Sequence, residues 1–282
     1  MNTVAIVGVG LIGGSFGLAL RKNGFTGEIL GVSSKSALDA GMAAGSISGG
    51  ATLEQAARVA DVIYLSQPID RILQTLEILG PIARPGCLIT DAGSTKAAIV
   101  STASKHVGSG AFLGGHPLAG KEQRGAACAD ADLFRGRPYV LTPSSPLTPA
   151  MEEFRSWLTR LGANIVELSP VEHDVVVAFT SHLPQLLATT LANTLVQQDD
   201  AHIQQVFGPG LLDMTRLALS SSELWESIFL TNKTEILRAL EAFVDCLHQV
   251  RAALERDCIH EWFRPAASFA EALRNLPRTT QR

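Results

Sequence analysis

The sequence predicts an α/β protein in two parts: an N-terminal doubly wound sheet, then a C-terminal all-helical dimerisation domain. Three observations carry this. Gly8-Val9-Gly10-Leu11-Ile12-Gly13 follows an apolar run and opens a helical pattern. Short, near-continuous apolar runs alternate with helical patterns through the first half, as parallel strands covered on both faces require. Strand signals then stop near Val171, and only helical patterns follow.

The elements follow in order. Thr3 to Gly8 is a buried strand, and Leu11 to Gly24 a helix ended by glycine. Glu28 to Ser33 is a second strand; Asp61 to Pro68 is another, stopped by proline. Arg71 to Ile82 is helical by apolar spacing, and Cys87 to Ser94 is a strand running into a helix start. AFLGGHP and PYVLTP supply two later strands. In the second half, 185–198 and 235–256 are helical. Ile236, Leu240, Phe243, Leu247, Val250 and Leu254 recur at steps of three and four, one apolar stripe longer than a single neighbour needs. That surplus predicts a homodimer.

The 282 residues suffice for two ordinary domains, and 46% hydrophobic against 18% charged residues supports a sizeable core. A net charge of -4 argues against a nucleic-acid partner held by phosphate contacts, and no basic run points to a membrane surface. No apolar run reaches about 18 residues, and the N-terminus has no secretory pattern, so the expected location is the cytoplasm. Cys87, Cys128, Cys246 and Cys258 form no CxxC pair and read as reduced thiols. No metal site is expected.

Behind a strand and ahead of a helix, GxGxxG is a dinucleotide fingerprint, and the sheet is read as Rossmann-type. Gly8 allows the tight turn, Gly10 lets the backbone approach a pyrophosphate, and Gly13 lets helix and sheet pack closely. The helix N-terminus at Leu11 and Ile12 offers N–H groups and partial positive charge to the phosphates. An acid some twenty residues on would bind the ribose 2′-hydroxyl of NAD. Here stand Ser33, Ser34, Lys35 and Ser36 instead. Hydroxyls and a lysine suit a 2′-phosphate, which tilts the reading to NADP with NAD as the alternative; Lys35 fits a solvated surface equally.

GGHPLAGKEQRG, 114–125, is too glycine-rich for a helix interior and too polar for a buried strand. It follows a strand, as does TDAGSTK, 90–96, and ligands in such sheets sit outside the carboxyl ends of strands. GVGLIGGS, TDAGSTK, GGHPLAGKEQRG, HDVVVAFTSHLPQ, LLDMTR and SSELWESIFLTNK occur in this order. Together they resemble the prephenate/arogenate dehydrogenase family of tyrosine biosynthesis, over about Val4 to Lys233. The resemblance implies oxidative decarboxylation of a cyclohexadienyl ring, prephenate in preference to arogenate, with hydride passing to NAD(P)+.

It also implies site residues. His116 matches the catalytic base, suited by an imidazole pKa of about 6.5; read alone it could cap a turn before Pro117. Ser94 matches a serine linking base, substrate and cofactor, and alone is a helix N-cap candidate. Arg216 matches the arginine holding the ring carboxylate by paired hydrogen bonds; alone it would pair with Asp213. His182 matches a substrate-site histidine, or marks a helix bend before Pro184. Trp225 matches a tryptophan near substrate, or packs in a core. Glu122 matches a glutamate at the mouth of the site, or is a solvated loop acid. Lys121 and Arg124 read as surface charges, and His173-Asp174 as a helix start with Asp174 structural. Gln185 stands where many relatives have histidine, and Leu211-Leu212 where Phe-Arg is usual.

The expected division is 1–169 for dinucleotide binding and 170–282 for the helical substrate and dimerisation domain, with the site in the cleft between. The rivals are a β-hydroxyacid dehydrogenase or imine reductase, which HPLAG and SHLP count against, and a dinucleotide-sensing dimer without turnover.

Overall fold

A computed structural model describes residues 1–107, 111–121, 123, 125–198 and 200–275. The chain divides into two compact units, with the boundary after Asp174.

The first unit opens β1 (Thr3–Val7), α1 (Leu11–Lys22), β2 (Glu28–Val32), α2 (Lys35–Ala43), β3 (Gly49–Gly50), α3 (Leu53–Val59), β4 (Val62–Leu65) and α4 (Ile69–Ile82). It continues β5 (Leu88–Asp91), α5 (Ala97–His106), β6 (Phe112–Pro117), β7 (Pro138–Thr142), α6 (Pro149–Arg160) and β8 (Asn164–Glu167). The strands form one eight-stranded sheet in the order β3-β2-β1-β4-β5-β6-β7-β8. Order reverses at β1, between β2 and β4, where the strand ends splay and leave a crevice.

Local chemistry places the shorter elements. Thr52 and Gln55 form a reciprocal capping box at α3. Thr148 accepts the Met151 N–H while Pro149 starts α6 with the φ a helix needs. Phe16 stacks on Tyr64 at 4.1 Å between ring centres, with Phe134 and Phe154 closing the cluster.

The sheet is not wholly parallel, as the apolar runs alone suggest. β7 pairs antiparallel with β6 and parallel with β8. Between β6 and β7 the chain returns through a short 3-10 turn, Ala126–Cys128, with no α-helix among the described residues to carry a crossover.

α7 (Pro170–Val177) spans the boundary between the units. The second unit then holds a π-helical turn (Ala178–His182), α8 (Leu183–Val196), α9 (Pro209–Thr215), a 3-10 turn (Arg216–Leu219), α10 (Ser222–Thr231), α11 (Lys233–Glu255) and α12 (Phe263–Asn275). Its core gathers Ala178, Leu183, Ile236 and Ala239, with Phe229, Leu240 and Phe243 against them. The α11 stripe thus splits: its first half is packed, while Leu247 and Leu254 remain 50% and 56% exposed.

The helical run Pro170–Val196 is, by length and composition alone, apolar enough to cross a membrane. A count of unbroken apolar residues misses it because polar residues interrupt it. Those at 173, 174, 182 and 185 are buried and hydrogen-bonded within the protein, while 33% of the run's most apolar window is buried. All four cysteines are free thiols.

Candidate active site

The crevice at the strand switch is an open groove of about 880 Å³. Gly8 closes its floor with φ +98°, and a Cβ there would stand 2.8 Å from the Ser66 backbone. A Cβ on Gly13 would stand 2.3 Å from the Gly8 carbonyl oxygen, so only glycine lets α1 approach the turn. A Cβ on Gly10 would meet nothing within 4 Å. That space, with Gly10 placed at the N-terminus of α1 without a side-chain cap, fits a pyrophosphate. Leu11 and Ile12 turn their side chains to the core, so only their backbones can serve a ligand.

Ser33, Ser34 and Ser36 line the groove beyond β2, and Ser34 also caps α2. Lys35 is exposed on the first turn of α2 and is not among the lining residues. Among the described residues, the cation lining the groove is Arg71, which sequence reading missed. Ser66 was missed too: its hydroxyl donates to the Gly8 carbonyl at 2.8 Å and ties the end of β4 to the glycine turn.

His116 sits in β6 and is buried, 7% exposed. Its Nδ1 lies 2.8 Å from Nε2 of His173, whose Nδ1 lies 2.7 Å from Asp174 Oδ1. Burial pulls the His173 pKa below the usual imidazole value, the nearby Lys96 ammonium adds to this, and Asp174 opposes it. Asp174 also accepts the backbone N–H groups of Lys96 at 2.7 Å and Ala97 at 2.9 Å. The residue capping α5 is therefore Asp174, 77 positions away in sequence from Ala97. Ser94 lies three residues before α5, half-buried, and does not cap it, contrary to the local cap expected from sequence.

In front of α5, Lys96 is wholly buried against Asp91 and donates to the Gly115 carbonyl at 2.8 Å. Asp91 accepts the Gly115 N–H at 3.1 Å. The pair holds both backbone polar groups of Gly115, the residue before His116.

In the second unit, His182 ends the π-helical turn. Pro184 lacks an N–H and crowds the preceding turn, which explains the widened winding there. His182 is buried, its Nδ1 lies 3.2 Å from the Asn232 amide, and its ring meets Trp225 edge-on at 6.0 Å. Trp225 Nε1 is buried with no hydrogen-bond partner among the described residues. Such a donor is a candidate for a polar ligand. Arg216 is exposed, at the start of the 3-10 turn. Gln185 Nε2 donates to the Leu217 carbonyl at 3.0 Å, anchoring that turn to α8. Glu122 and Arg124 lie outside the described residues; Lys121 pairs with Asp130 at 2.8 Å.

A doubly wound sheet whose glycine turn opens a groove at the strand switch defines a nucleotide-binding domain for a nicotinamide dinucleotide, here joined to a helical unit. Known proteins make the class specific. The family model "Prephenate dehydrogenase, nucleotide-binding domain" matches residues 16–167, and "Prephenate dehydrogenase, dimerization domain" matches 169–266. A prephenate dehydrogenase of Lactococcus lactis is 35% identical over 288 residues, covering 97% of this chain and 78% of that one. The crystal structure of prephenate dehydrogenase from A. aeolicus with hydroxyphenyl propionate and NAD+ superimposes with a TM-score of 0.91 at 29% identity, covering 97% and 98% of the two chains. That of Synechocystis arogenate dehydrogenase gives 0.84 at 31% identity, covering 96% and 99%. The chain belongs to the prephenate dehydrogenase family. It is an oxidoreductase of the prephenate/arogenate type, catalysing oxidative decarboxylation with hydride transfer to a nicotinamide dinucleotide.

Proposed function

We propose that the chain converts prephenate to 4-hydroxyphenylpyruvate in the cytoplasm, as a homodimer, using NADP+ in preference to NAD+. Arogenate and tyrosine are the alternative pair. The observation that carries the assignment of roles is the buried His116, whose Nδ1 is engaged by His173.

His116 accepts the proton of the ring C4 hydroxyl as the C4 hydride leaves, and returns it to the phenol oxygen once the C1 carboxylate has departed as carbon dioxide. The dinucleotide supplies the hydride acceptor. Ser94, three residues past the end of β5, aligns hydroxyl and base. Arg216 holds a substrate carboxylate by paired hydrogen bonds. His182, Trp225 and Glu122 complete the substrate contacts.

Gly8, Gly10, Leu11, Ile12 and Gly13 present backbone to the pyrophosphate. The NADP+ preference rests on serine hydroxyls at the end of β2, on the lack of an acid there, and on Arg71 and Lys35 as cations in and beside the groove. The dimer rests on the exposed half of the α11 stripe.

The test is turnover of prephenate and of arogenate, each with NAD+ and with NADP+, followed at the reduced-nicotinamide absorbance. The highest kcat/KM is expected for prephenate with NADP+. A higher value with NAD+ contradicts the reading of Ser33 to Ser36, and a higher value with arogenate contradicts the substrate choice.

A further inference from the structure

We propose that His173, held by Asp174, is a positioning residue that fixes the tautomer of His116 and so makes Nε2 of His116 its proton-accepting atom. This rests on His116 as the base. The argument follows the hydrogens along the chain of contacts.

Both carboxylate oxygens of Asp174 are tied to the start of α5, by the Lys96 and Ala97 backbone N–H groups. Oδ1 also faces His173 Nδ1 at 2.7 Å. A carboxylate only accepts, so His173 Nδ1 carries the hydrogen. His173 is fully buried, and burial keeps it neutral. A neutral imidazole has one N–H, so Nε2 of His173 is an acceptor. It lies 2.8 Å from His116 Nδ1. His116 Nδ1 is therefore the donor, and the basic lone pair of the His116 ring stands on Nε2.

The same chain supports the product of proton transfer. Once His116 is an imidazolium, its Nδ1–H bond to His173 becomes charge-assisted, and Asp174 stands behind His173 as counter-charge. The charged groups around this core are Asp174 on α7, Lys96 ahead of α5 and Asp91 on β5, and the latter two are paired with each other.

The experiment compares the parent with His173→Phe, which keeps the ring volume without the acceptor, and His173→Gln, whose amide oxygen can restore it. Each is measured for kcat, KM and the pH profile of kcat, with dinucleotide binding as the check of folding. Ring 15N NMR of the parent, with the His116 signal assigned by its loss in His116→Asn, reads the tautomer directly. His173→Phe is expected to lower kcat by about 10- to 10³-fold with substrate KM little changed, and to move the acid limb to lower pH, since the imidazolium loses its partner. His173→Gln is expected to recover most of the rate. The NMR is expected to place the hydrogen on Nδ1 of His116.

A parent ring protonated at Nε2 overturns the proposal, whether or not the variants fold. So does a His173→Phe protein with parental kcat and an unmoved acid limb. If His116→Asn itself keeps parental kcat, what fails is the assignment of the base; the tautomer is still decided by the spectrum.

Discussion

The Lys96 ammonium and the Asp91 carboxylate form an ion pair in which neither side chain is exposed. Burial pulls the Lys96 pKa below the usual lysine range, and Asp91 opposes it. Removing one partner strands the other charge in a dry interior. Lys96→Met is expected to cost about 3–5 kcal/mol in denaturant unfolding, and adding Asp91→Asn to recover part of it. A loss under about 1 kcal/mol for Lys96→Met would mean water reaches the site.

Two glycines of the fingerprint separate folding from binding. Gly13→Ala forces a Cβ to 2.3 Å from the Gly8 carbonyl, while Gly10→Ala points one into open space. Gly13→Ala should lower stability by about 1–3 kcal/mol. Gly10→Ala should melt with the parent yet bind dinucleotide more weakly, because the methyl group occupies the phosphate approach. Equal melting of both variants, or unchanged affinity in Gly10→Ala, would contradict this division.

These two clusters also mark what could be read from sequence. The glycine turn is local: strand, turn and helix lie within about twenty residues, so pattern alone places Gly8, Gly10 and Gly13. The α5 cap is not local. Asp174 reaches it from 77 positions away, and Ser94 was the nearer and wrong choice. His173 does stand in the first turn of α7, as its pattern suggests, but its contact with His116, 57 positions distant, is not local. Arg71 and Ser66 reach the groove only through sheet order. β8 went unread because its burial is partial and its pattern, Asn164 to Glu167, lacks an apolar run. The family motifs named His116, His182, Arg216 and Trp225 and also contain Gln185 and Asn232, but the contacts of those two with Leu217 and His182 cross between helices and are not local.

Asp61 links stability to pH. It is partly desolvated, which raises its pKa, but the backbone N–H groups of Asn2 and Thr3 and the Arg84 guanidinium outweigh this and hold it below the usual value. A carboxylate with a depressed folded pKa stabilises above its unfolded pKa, about 3.9, and that stability is lost as pH falls through the folded value. Asp61→Asn should therefore cost about 1–2 kcal/mol at pH 7 and progressively less below about pH 4. Unfolding curves whose difference is constant between those pH values would contradict it.

The Gln185–Leu217 hydrogen bond holds the turn that carries Arg216, the residue proposed to bind the substrate carboxylate. Arg216→Ala should raise substrate KM by about ten- to a hundredfold, with dinucleotide KM unchanged. Gln185→Leu, which frees the turn but keeps the charge, should raise it less. An unchanged substrate KM in Arg216→Ala would return this arginine to a surface role.

The most direct measurement is steady-state turnover of His116→Asn beside the parent, with dinucleotide affinity measured on both. The account predicts kcat lower by about 10²- to 10⁴-fold at unchanged dinucleotide affinity. Parental kcat in the variant would contradict it and remove His116 from the chemistry.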